Sequence, residues 1–261
     1  MKLLALDTAS ELCSAALWLD GRLLERERSA PRAHAALILP MIDSLLAEAG
    51  MALGALDAIA FGRGPGAFTG VRLAAAIAQG LGFAAQRPLI PISDLRATAA
   101  QALHQTEGSQ GALVCQDARM DEVYWGCFAR GASSHGVSSH GDPMVAAVSA
   151  VGAEGVAPAA AVELPPTWPA QFSIVAAGTG FAAYPELLQR LQGRLALTLA
   201  QLQPRAREIA VLAAQDGMGA AVAPEEALPI YLRDRVTNTV SPASAPSSLF
   251  APTGPVTPRR S

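Results

Sequence analysis

The chain has 261 residues and a net charge of −3, and 51% of its residues are apolar while only 16% are charged. This length allows one large or two ordinary domains with a substantial core, and the acidic balance argues against unaided RNA binding, which needs a basic surface. No apolar run reaches the ~20 residues of a membrane span, and the N-terminal apolar run is too short for a signal peptide, so we expect a cytoplasmic protein.

The chain opens with a pattern of three short strands. Residues 2–7 and 12–19 are apolar runs, and residues 22–28 alternate between apolar and charged side chains. A polar turn that begins at Asp7 joins the first two strands, and a hairpin turn at 20–21 joins the second and third. We therefore expect a three-stranded meander with Asp7 at the end of its first strand.

The next pattern predicts an amphipathic helix over residues 33–49, which ends at Gly50. Its apolar residues recur every three or four positions and so share one face of the helix. This stripe includes Leu37, Met41 and Leu45. We expect the stripe to take part in binding a partner protein.

A glycine-rich turn in the middle of the first half is the most informative stretch. A strand-length apolar run over residues 56–61 leads into Gly62-Arg63-Gly64-Pro65-Gly66, and the residues from 68 onward predict a helix. A helix that starts from such a turn has unpaired backbone N–H groups, which attract anions or pack closely on another backbone. Both interpretations are open at this point.

The helix predicted over residues 68–85 is poor in polar side chains. Only Arg72 and Gln79 are clearly polar between residues 69 and 85, so the helix should be covered on more than one side. Small residues recur at every fourth position and form a ridge that another helix could approach. The ridge consists of Gly70, Ala74, Ala78 and Gly82. The helix is either sandwiched inside its own lobe or in contact with a partner, and we expect the ridge to be part of a partner interface.

The rest of the chain predicts a second lobe. A strand over residues 88–92, a helix capped by Ser93 and a polar gap at 106–110 end the first lobe. Strands are predicted at 111–118, 122–129 and 172–177, and helices at 184–191 and 204–218. The predicted units are a first lobe (1–105), a smaller second lobe (106–203), a C-terminal helix and extended piece that pack back on the first lobe (204–235), and a disordered Pro/Ser-rich tail (241–261). Three cysteines without a CxxC motif predict reduced, mostly buried thiols; these are Cys13, Cys115 and Cys127.

Three long strings resemble the TsaB family, the small subunit of the bacterial machinery that makes threonylcarbamoyladenosine in tRNA. They are Leu4-Ala5-Leu6-Asp7-Thr8-Ala9, the eleven residues of 62–72, and Asp117-Ala118-Arg119-Met120-Asp121-Glu122-Val123-Tyr124, and they follow the family's order. Weaker similarity at Gly178-Thr179-Gly180 and at 229–233 extends the match to about residues 1–235.

The resemblance implies a two-lobed α/β fold of the actin/hexokinase/Hsp70-like (ASKHA) class, in which each lobe is a mixed sheet with helices. It implies a non-catalytic subunit that dimerises with a TsaD-like catalytic subunit and activates it. That partner would transfer a threonylcarbamoyl group to the adenosine next to the anticodon of ANN-decoding tRNAs. A TsaE-like ATPase would join the complex, and tRNA would bind only through the complex. The chain would carry no cofactor of its own, since ATP and metal are expected on the partners; it could pair with itself when alone, and no membrane association is expected.

Four residues are candidates for a vestigial nucleotide site. Asp7 and Asp117 each follow an apolar strand at a turn, where a two-lobed fold would place them on opposite sides of a cleft, and Gly178 and Gly180 could approach a nucleotide closely. Turn chemistry alone explains the same aspartates, because Asp accepts hydrogen bonds from nearby backbone N–H groups. A stand-alone ATP-dependent or peptidase-like enzyme that uses Asp7 and Asp117 is the alternative function.

We predict no catalytic and no metal-ligating residue in this chain. The larger catalytic relatives carry a metal-binding His-x-x-x-His, whereas the four histidines here, at positions 34, 104, 135 and 140, include no pair at that spacing. Protease chemistry would need a metal pair or a nucleophile with a histidine base, and the sequence singles out neither.

Overall fold

The computed structural model describes residues 1–131 and 147–233. The predicted disordered tail at 241–261 and the histidines at 135 and 140 lie outside these described residues. The fold consists of two mixed sheets, each with helices, and the predicted two-lobed α/β fold is confirmed.

The first lobe is a five-stranded sheet with the order β3-β2-β1-β4-β5. The first three strands form the predicted antiparallel meander, and the last two run parallel to β1. Its strands and helices are β1 (Lys2–Asp7), β2 (Leu12–Leu19), β3 (Arg22–Ser29), α1 (His34–Ala49), β4 (Ala58–Gly62), α2 (Phe68–Ala85), β5 (Leu89–Ile92) and α3 (Asp94–Gln105). The predicted cap of α3 is confirmed, because the Ser93 hydroxyl oxygen accepts a 3.1 Å hydrogen bond from the Arg96 N–H.

The second lobe is a six-stranded sheet with the order β11-β10-β6-β7-β8, and β9 also pairs with β7. Its elements are β6 (Gly111–Arg119), β7 (Glu122–Arg130), β8 (Val148–Ala150), β9 (Gly155–Pro158), β10 (Ile174–Ala177), α4 (Gly180–Ala183), α5 (Pro185–Leu191) and β11 (Leu195–Leu199). The helix α6 (Ala206–Asp216) follows β11 in the chain but packs on the first sheet. The sequence did not predict β8, β9 and β11. These are strands of three to five residues with mainly half-buried or exposed side chains, so they carry little periodic signal.

Alternation along β1 explains how the layers stack. Leu4 and Leu6 point to the face that α1 and α2 cover, whereas Leu3 and Ala5 point to the face that α3 and α6 cover. Residues on the inner face of the second sheet belong to the same hydrophobic cluster as Leu3 and Ala5. The helices α3 and α6 therefore form the middle layer between the two sheets. The helices α4 and α5 cover the outer face of the second sheet.

The end of the described chain returns to the first lobe. The α6 helix contacts the first sheet, and the Ser14 hydroxyl oxygen accepts a 2.9 Å hydrogen bond from the Ala206 N–H at the start of α6. Further on, Val222 bridges to Leu89, and the Ile230 N–H donates to the Arg63 carbonyl oxygen at 2.7 Å. All three cysteines are buried and free, as the sequence predicted.

Candidate functional site

The glycine-rich turn between β4 and α2 packs against the polar turn that follows β1. A Cβ atom at Gly66 would lie 2.7 Å from the Ala9 carbonyl oxygen, and one at Gly70 would lie 2.0 Å from the Thr8 carbonyl oxygen. The Ala67 N–H donates to the same Ala9 oxygen at 2.8 Å, and the Thr8 hydroxyl donates to the Gly70 oxygen at 2.7 Å. Of the two interpretations that the sequence left open, close backbone packing is therefore the one that the structure shows.

Asp7 lies beneath this turn and is fully buried. Its Oδ1 atom accepts a 3.0 Å hydrogen bond from the Ala9 N–H. Asp94 at the start of α3 approaches from the other side: a Cβ atom at Gly62 would lie 2.5 Å from Asp7 Oδ1 and 2.3 Å from Asp94 Oδ1. Burial raises the pKa of Asp7 to about 7, and burial followed by the Asp7 charge raises the pKa of Asp94 well above its usual range.

The sequence pattern did not lead us to predict Asp94 as a partner of Asp7. A signal was present, because Asp7 and Asp94 come at or just after the carboxyl ends of β1 and β5, which run parallel in one sheet. Such ends meet at the same edge of a sheet, so acidic residues that follow them are expected to lie near one another.

The other three nucleotide-site candidates lie together in the second lobe. Asp117 Oδ1 accepts hydrogen bonds from the Arg119 N–H at 2.8 Å and the Tyr184 hydroxyl at 3.0 Å, and its Oδ2 pairs with the Arg119 guanidinium at 3.0 Å. Gly178 and Gly180 pack closely against β6, since Cβ atoms at these positions would lie 2.4 and 2.8 Å from the Cys115 carbonyl oxygen. All three residues thus contact their own second lobe. For Asp117 this agrees with the interpretation that its carboxylate accepts hydrogen bonds within a turn.

A small cleft lies where the two lobes meet the C-terminal segment. It has a volume of about 170 Å³, below the 300–1,000 Å³ that is usual for ligand pockets. Residues 230–233 form one wall, and the Asp and Gly candidates are not among its lining residues, which are Pro65, Gly66, Phe68, Ala118, Arg119, Tyr124, Ile230, Tyr231, Leu232 and Arg233. The predicted nucleotide site therefore does not coincide with the cleft.

The small-residue ridge of α2 requires a correction. Gly70, Ala74, Ala78 and Gly82 are all buried against the chain's own first lobe. A Cβ atom at Gly82, for example, would lie 2.9 Å from a Leu89 methyl group and 3.1 Å from the Arg87 carbonyl oxygen. The ridge therefore faces the sheet and not a partner. Its small residues allow α2 to approach β1 and β4 closely.

The opposite side of α2 is exposed, and it is uncharged from Leu73 onward. Its exposed positions include Ala76, Gly80 and Phe83, and the Phe83 side chain is 59% exposed. No charged residue occurs between Leu73 and Ala85, and the Gln79 amide is occupied by a 3.2 Å hydrogen bond to the Ala227 carbonyl oxygen. Among the described helices, α2 is the one with the length and apolar composition of a membrane span, although its inner side packs on its own sheet.

The helix α1 lies on the same face of the first sheet as α2. Leu45 is fully buried and belongs to the core, which corrects its assignment to a partner surface. Leu37 and Met41 are only partly buried, and Leu39, which the sequence analysis did not single out, is 45% exposed. The outer sides of the two helices therefore carry exposed or partly buried apolar residues, and we term this set the outer helical face: Leu37, Leu39 and Met41 of α1 with Leu73, Ala76, Ile77, Gly80 and Phe83 of α2.

The one charged side chain of α2 is that of Arg72, and it contacts two aromatic residues of the same chain. The Arg72 guanidinium lies 3.5 Å above the Phe68 ring and donates a 2.7 Å hydrogen bond to the Tyr231 hydroxyl. Within residues 1–131 and 147–233, no group of three or more His, Cys, Asp and Glu side chains has an arrangement suited to a metal ion.

Comparison with known proteins gives one consistent result. The family model described as TsaD, tRNA N6-adenosine threonylcarbamoyltransferase, matches residues 28–239. The tRNA threonylcarbamoyladenosine biosynthesis protein TsaB of Escherichia coli (strain K12) is 38% identical over 237 residues, which are 90% of this chain and 96% of that protein. The protein of the same name from Haemophilus influenzae is 54% identical over 127 residues, 48% of this chain and 52% of that one. A crystal structure from Pseudomonas aeruginosa, described as an uncharacterized protein with similarity to peptidase YEAZ, has a TM-score of 0.77 and 44% identity, covering 89% of this chain and 99% of that chain.

Proposed function

Since the chain belongs to the TsaB family, we propose that it is a non-catalytic subunit that binds and activates a TsaD-like threonylcarbamoyltransferase. Its role is in the biosynthesis of threonylcarbamoyladenosine in tRNA, the process for which its relatives are named. In this proposal the TsaD-like partner modifies the adenosine next to the anticodon of ANN-decoding tRNAs, and a TsaE-like ATPase joins the complex. ATP and metal then belong to the partner subunits, and tRNA reaches this chain only through the complex.

The observation that carries the proposal is the outer helical face. A surface helix normally presents a broad polar side to water, yet α2 has no charged residue from Leu73 to Ala85 and leaves Phe83 59% exposed. Exposed apolar surface on adjacent elements is typical of protein–protein contacts. The helices α3 and α6 and the second sheet already cover the opposite face of the first sheet, so this face is where a partner's helices have room to pack.

The arrangement around the aspartates supports a subunit without chemistry of its own. Asp7 is sealed beneath the glycine-rich turn, and Asp117 is paired with Arg119 and Tyr184. A general base or a nucleotide ligand must reach a substrate atom, and a carboxyl without solvent access does not. The stand-alone enzyme that uses this pair of aspartates is therefore the less supported alternative.

A pull-down with a matched control tests the proposed interface. Phe83→Glu replaces a half-exposed ring on the outer helical face with a carboxylate, which stays hydrated in the free chain but is buried without a counter-charge in the complex. Losing the ring contact and burying the charge weaken binding by about 3 kcal/mol or more, which is roughly a hundredfold. Leu197→Glu, on β11 of the second lobe, is the control, because Leu197 is 47% exposed and lies in the other lobe.

We expect Phe83→Glu to remain folded and to lose capture of the TsaD-like subunit, while Leu197→Glu keeps it. Equal capture by the two variants would show that the partner binds elsewhere. Size-exclusion chromatography of the unmixed chain reports in the same experiment whether this face also mediates self-association, since a dimer through it should be lost in Phe83→Glu alone.

A further inference from the structure

Two carboxyl groups from different elements meet in the interior of the first lobe. Asp7 ends β1 and is 0% exposed, and Asp94 begins α3 and is 1% exposed. Both have their Oδ1 atoms over Gly62, within 2.5 Å of the position that a side chain there would take. We refer to these two residues as the carboxyl pair. A glycine is required at position 62 because the pair fills the space of its missing side chain.

The hydrogen bonds of the carboxyl pair are incomplete. Asp7 Oδ1 accepts from the Ala9 N–H at 3.0 Å, and Asp94 Oδ2 accepts from the Gly64 N–H at 2.6 Å. The two remaining oxygens, Asp7 Oδ2 and Asp94 Oδ1, are buried and have no donor among the described residues. A buried oxygen without a donor is costly, and two adjacent buried carboxylates strongly oppose each other's ionisation.

The charges around the carboxyl pair do not neutralise a second negative charge. Glu154, from the connection between β8 and β9, adds a negative charge near Asp94 and accepts a hydrogen bond from the Ser93 hydroxyl. Cys13 on β2 also faces Asp7, and its thiol has a pKa raised to about 11 by burial and by Asp7. Arg63 is the cation that acts on Asp94, but it forms no ion pair among the described residues, and Arg96 is engaged by Asp216 at 2.6 and 2.8 Å.

We propose that Asp7 and Asp94 hold one proton between them at neutral pH, and that loss of this proton in alkali loosens the junction of β1, the glycine-rich turn and α3. The bound proton supplies the hydrogen-bond donor that the carboxyl oxygens otherwise lack, and it leaves a single negative charge stabilised by the Gly64 and Ala9 N–H groups. The pair titrates as a unit, so the proton belongs to both residues.

The sign of the pH dependence follows from the two states of the chain. In the unfolded chain both aspartates are ionised above about pH 4, whereas the folded chain retains the proton. The stability that the proton contributes is therefore fully present below about pH 4, the range in which the unfolded aspartates are also protonated. It falls as the pH rises above this value and is lost once the pH has passed through the range in which the folded pair titrates, near pH 7 and above. Between these two limits the retained proton makes the unfolding constant rise by up to about tenfold per pH unit.

The test is equilibrium unfolding of the full chain in urea from pH 5 to pH 9. Asp94→Asn keeps the shape and replaces one carboxyl oxygen with an amide donor, so the remaining carboxylate no longer needs the proton. We expect the unfolding constant of the unmodified chain to rise with pH more steeply than that of Asp94→Asn, by up to tenfold per unit. Asp43→Asn is the matched control, since Asp43 is exposed on α1, and it should follow the unmodified chain.

Infrared spectroscopy of the folded, unmodified chain keeps the proposal testable even where Asp94→Asn unfolds. A protonated carboxyl band that is present at pH 7 and disappears at higher pH supports the proposal, whereas its absence at pH 7 overturns it. Parallel pH curves for Asp94→Asn and the unmodified chain overturn it as well. So does a Mg²⁺-dependent rise of the melting temperature at pH 8 that Asp94→Asn lacks, because a cation and not a proton would then bind the pair.

Discussion

Glutamate substitutions at Ala78 and Ala76 test which side of α2 packs in the core and which side is exposed. The residues are two positions apart in one helix, and the substitution is chemically the same. Ala78 is 0% exposed in the cluster that the first sheet forms with α1 and α2, whereas Ala76 lies on the exposed side. We expect Ala78→Glu to unfold the first lobe and Ala76→Glu to leave it folded.

The magnitude for Ala78→Glu follows from its burial. Forcing a larger side chain into a packed core costs about 1–3 kcal/mol, and a buried carboxylate without a partner adds several kcal/mol. Together these approach or exceed about 5 kcal/mol, against a total stability of about 5–15 kcal/mol for a folded protein. A chain of this size loses about 2–4 °C of melting temperature per kcal/mol, so the melting temperature should fall by about 10 °C or more.

For Ala76→Glu, the free chain should change by less than about 0.5 kcal/mol because the carboxylate stays in water. In a complex through the outer helical face, the same carboxylate is desolvated, which weakens binding by about 2 kcal/mol or more, or roughly thirtyfold. Circular dichroism melting and titration with the TsaD-like subunit measure the two effects. A folded Ala78→Glu that melts like the unmodified chain, or an Ala76→Glu that binds normally, would refute the assignment of the two sides.

Two further predictions concern backbone packing and the junction between the lobes. Gly70→Ala should lower the free energy of unfolding by about 3 kcal/mol, because its Cβ atom would lie 2.0 Å from the Thr8 carbonyl oxygen. Gly80→Ala should raise the free energy of unfolding by about 0.5–1 kcal/mol, because nothing lies within 4 Å of its Cβ position and alanine favours the helix. Urea unfolding that gives both changes the same sign would contradict this prediction. The Arg233 guanidinium donates hydrogen bonds to the Ala118 carbonyl oxygen at 3.2 Å and to the Glu122 carboxylate. Arg233→Met should therefore lower the free energy of unfolding by about 1–2 kcal/mol and speed proteolysis near residues 118–122. An unchanged rate of cleavage there would show that these contacts do not hold the C-terminal segment to the second lobe.

The order of the main elements could be predicted because their patterns are long and regular. The helix predicted over residues 68–85 is α2 with the same bounds, and the meander, α3 and the β6–β7 pair were found within a few residues. The missed strands β8 and β11 lie at the edges of their sheet and β9 is a short side strand, so no alternation of buried and exposed residues marks them.

The candidate site was harder to predict because it depends on which way each helix face turns. Spacing by four places Gly70, Ala74, Ala78 and Gly82 on one side of α2, but the same spacing fits a sheet beneath the helix as well as a partner beside it. The close contact of Gly70 with the Thr8 carbonyl oxygen decides for the sheet. The pairing of Asp7 with Asp94 had one signal in the sequence, since both residues follow strands that a parallel sheet can place near one another. Their contact across 87 positions also depends on the order of the strands in the sheet, which the local pattern does not encode.

Reconstituted transfer of threonylcarbamoyl to tRNA is the most direct test of the proposed activating role. The assay combines a TsaD-like subunit, a TsaE-like ATPase, ATP, tRNA and threonylcarbamoyl donor, with or without this chain, and measures modified adenosine. We expect no product from this chain alone, little from the mixture that lacks it and full activity when it is added, with Phe83→Glu failing to restore activity. Product formed by this chain alone, or equal activity without it, would contradict an activating, non-catalytic subunit.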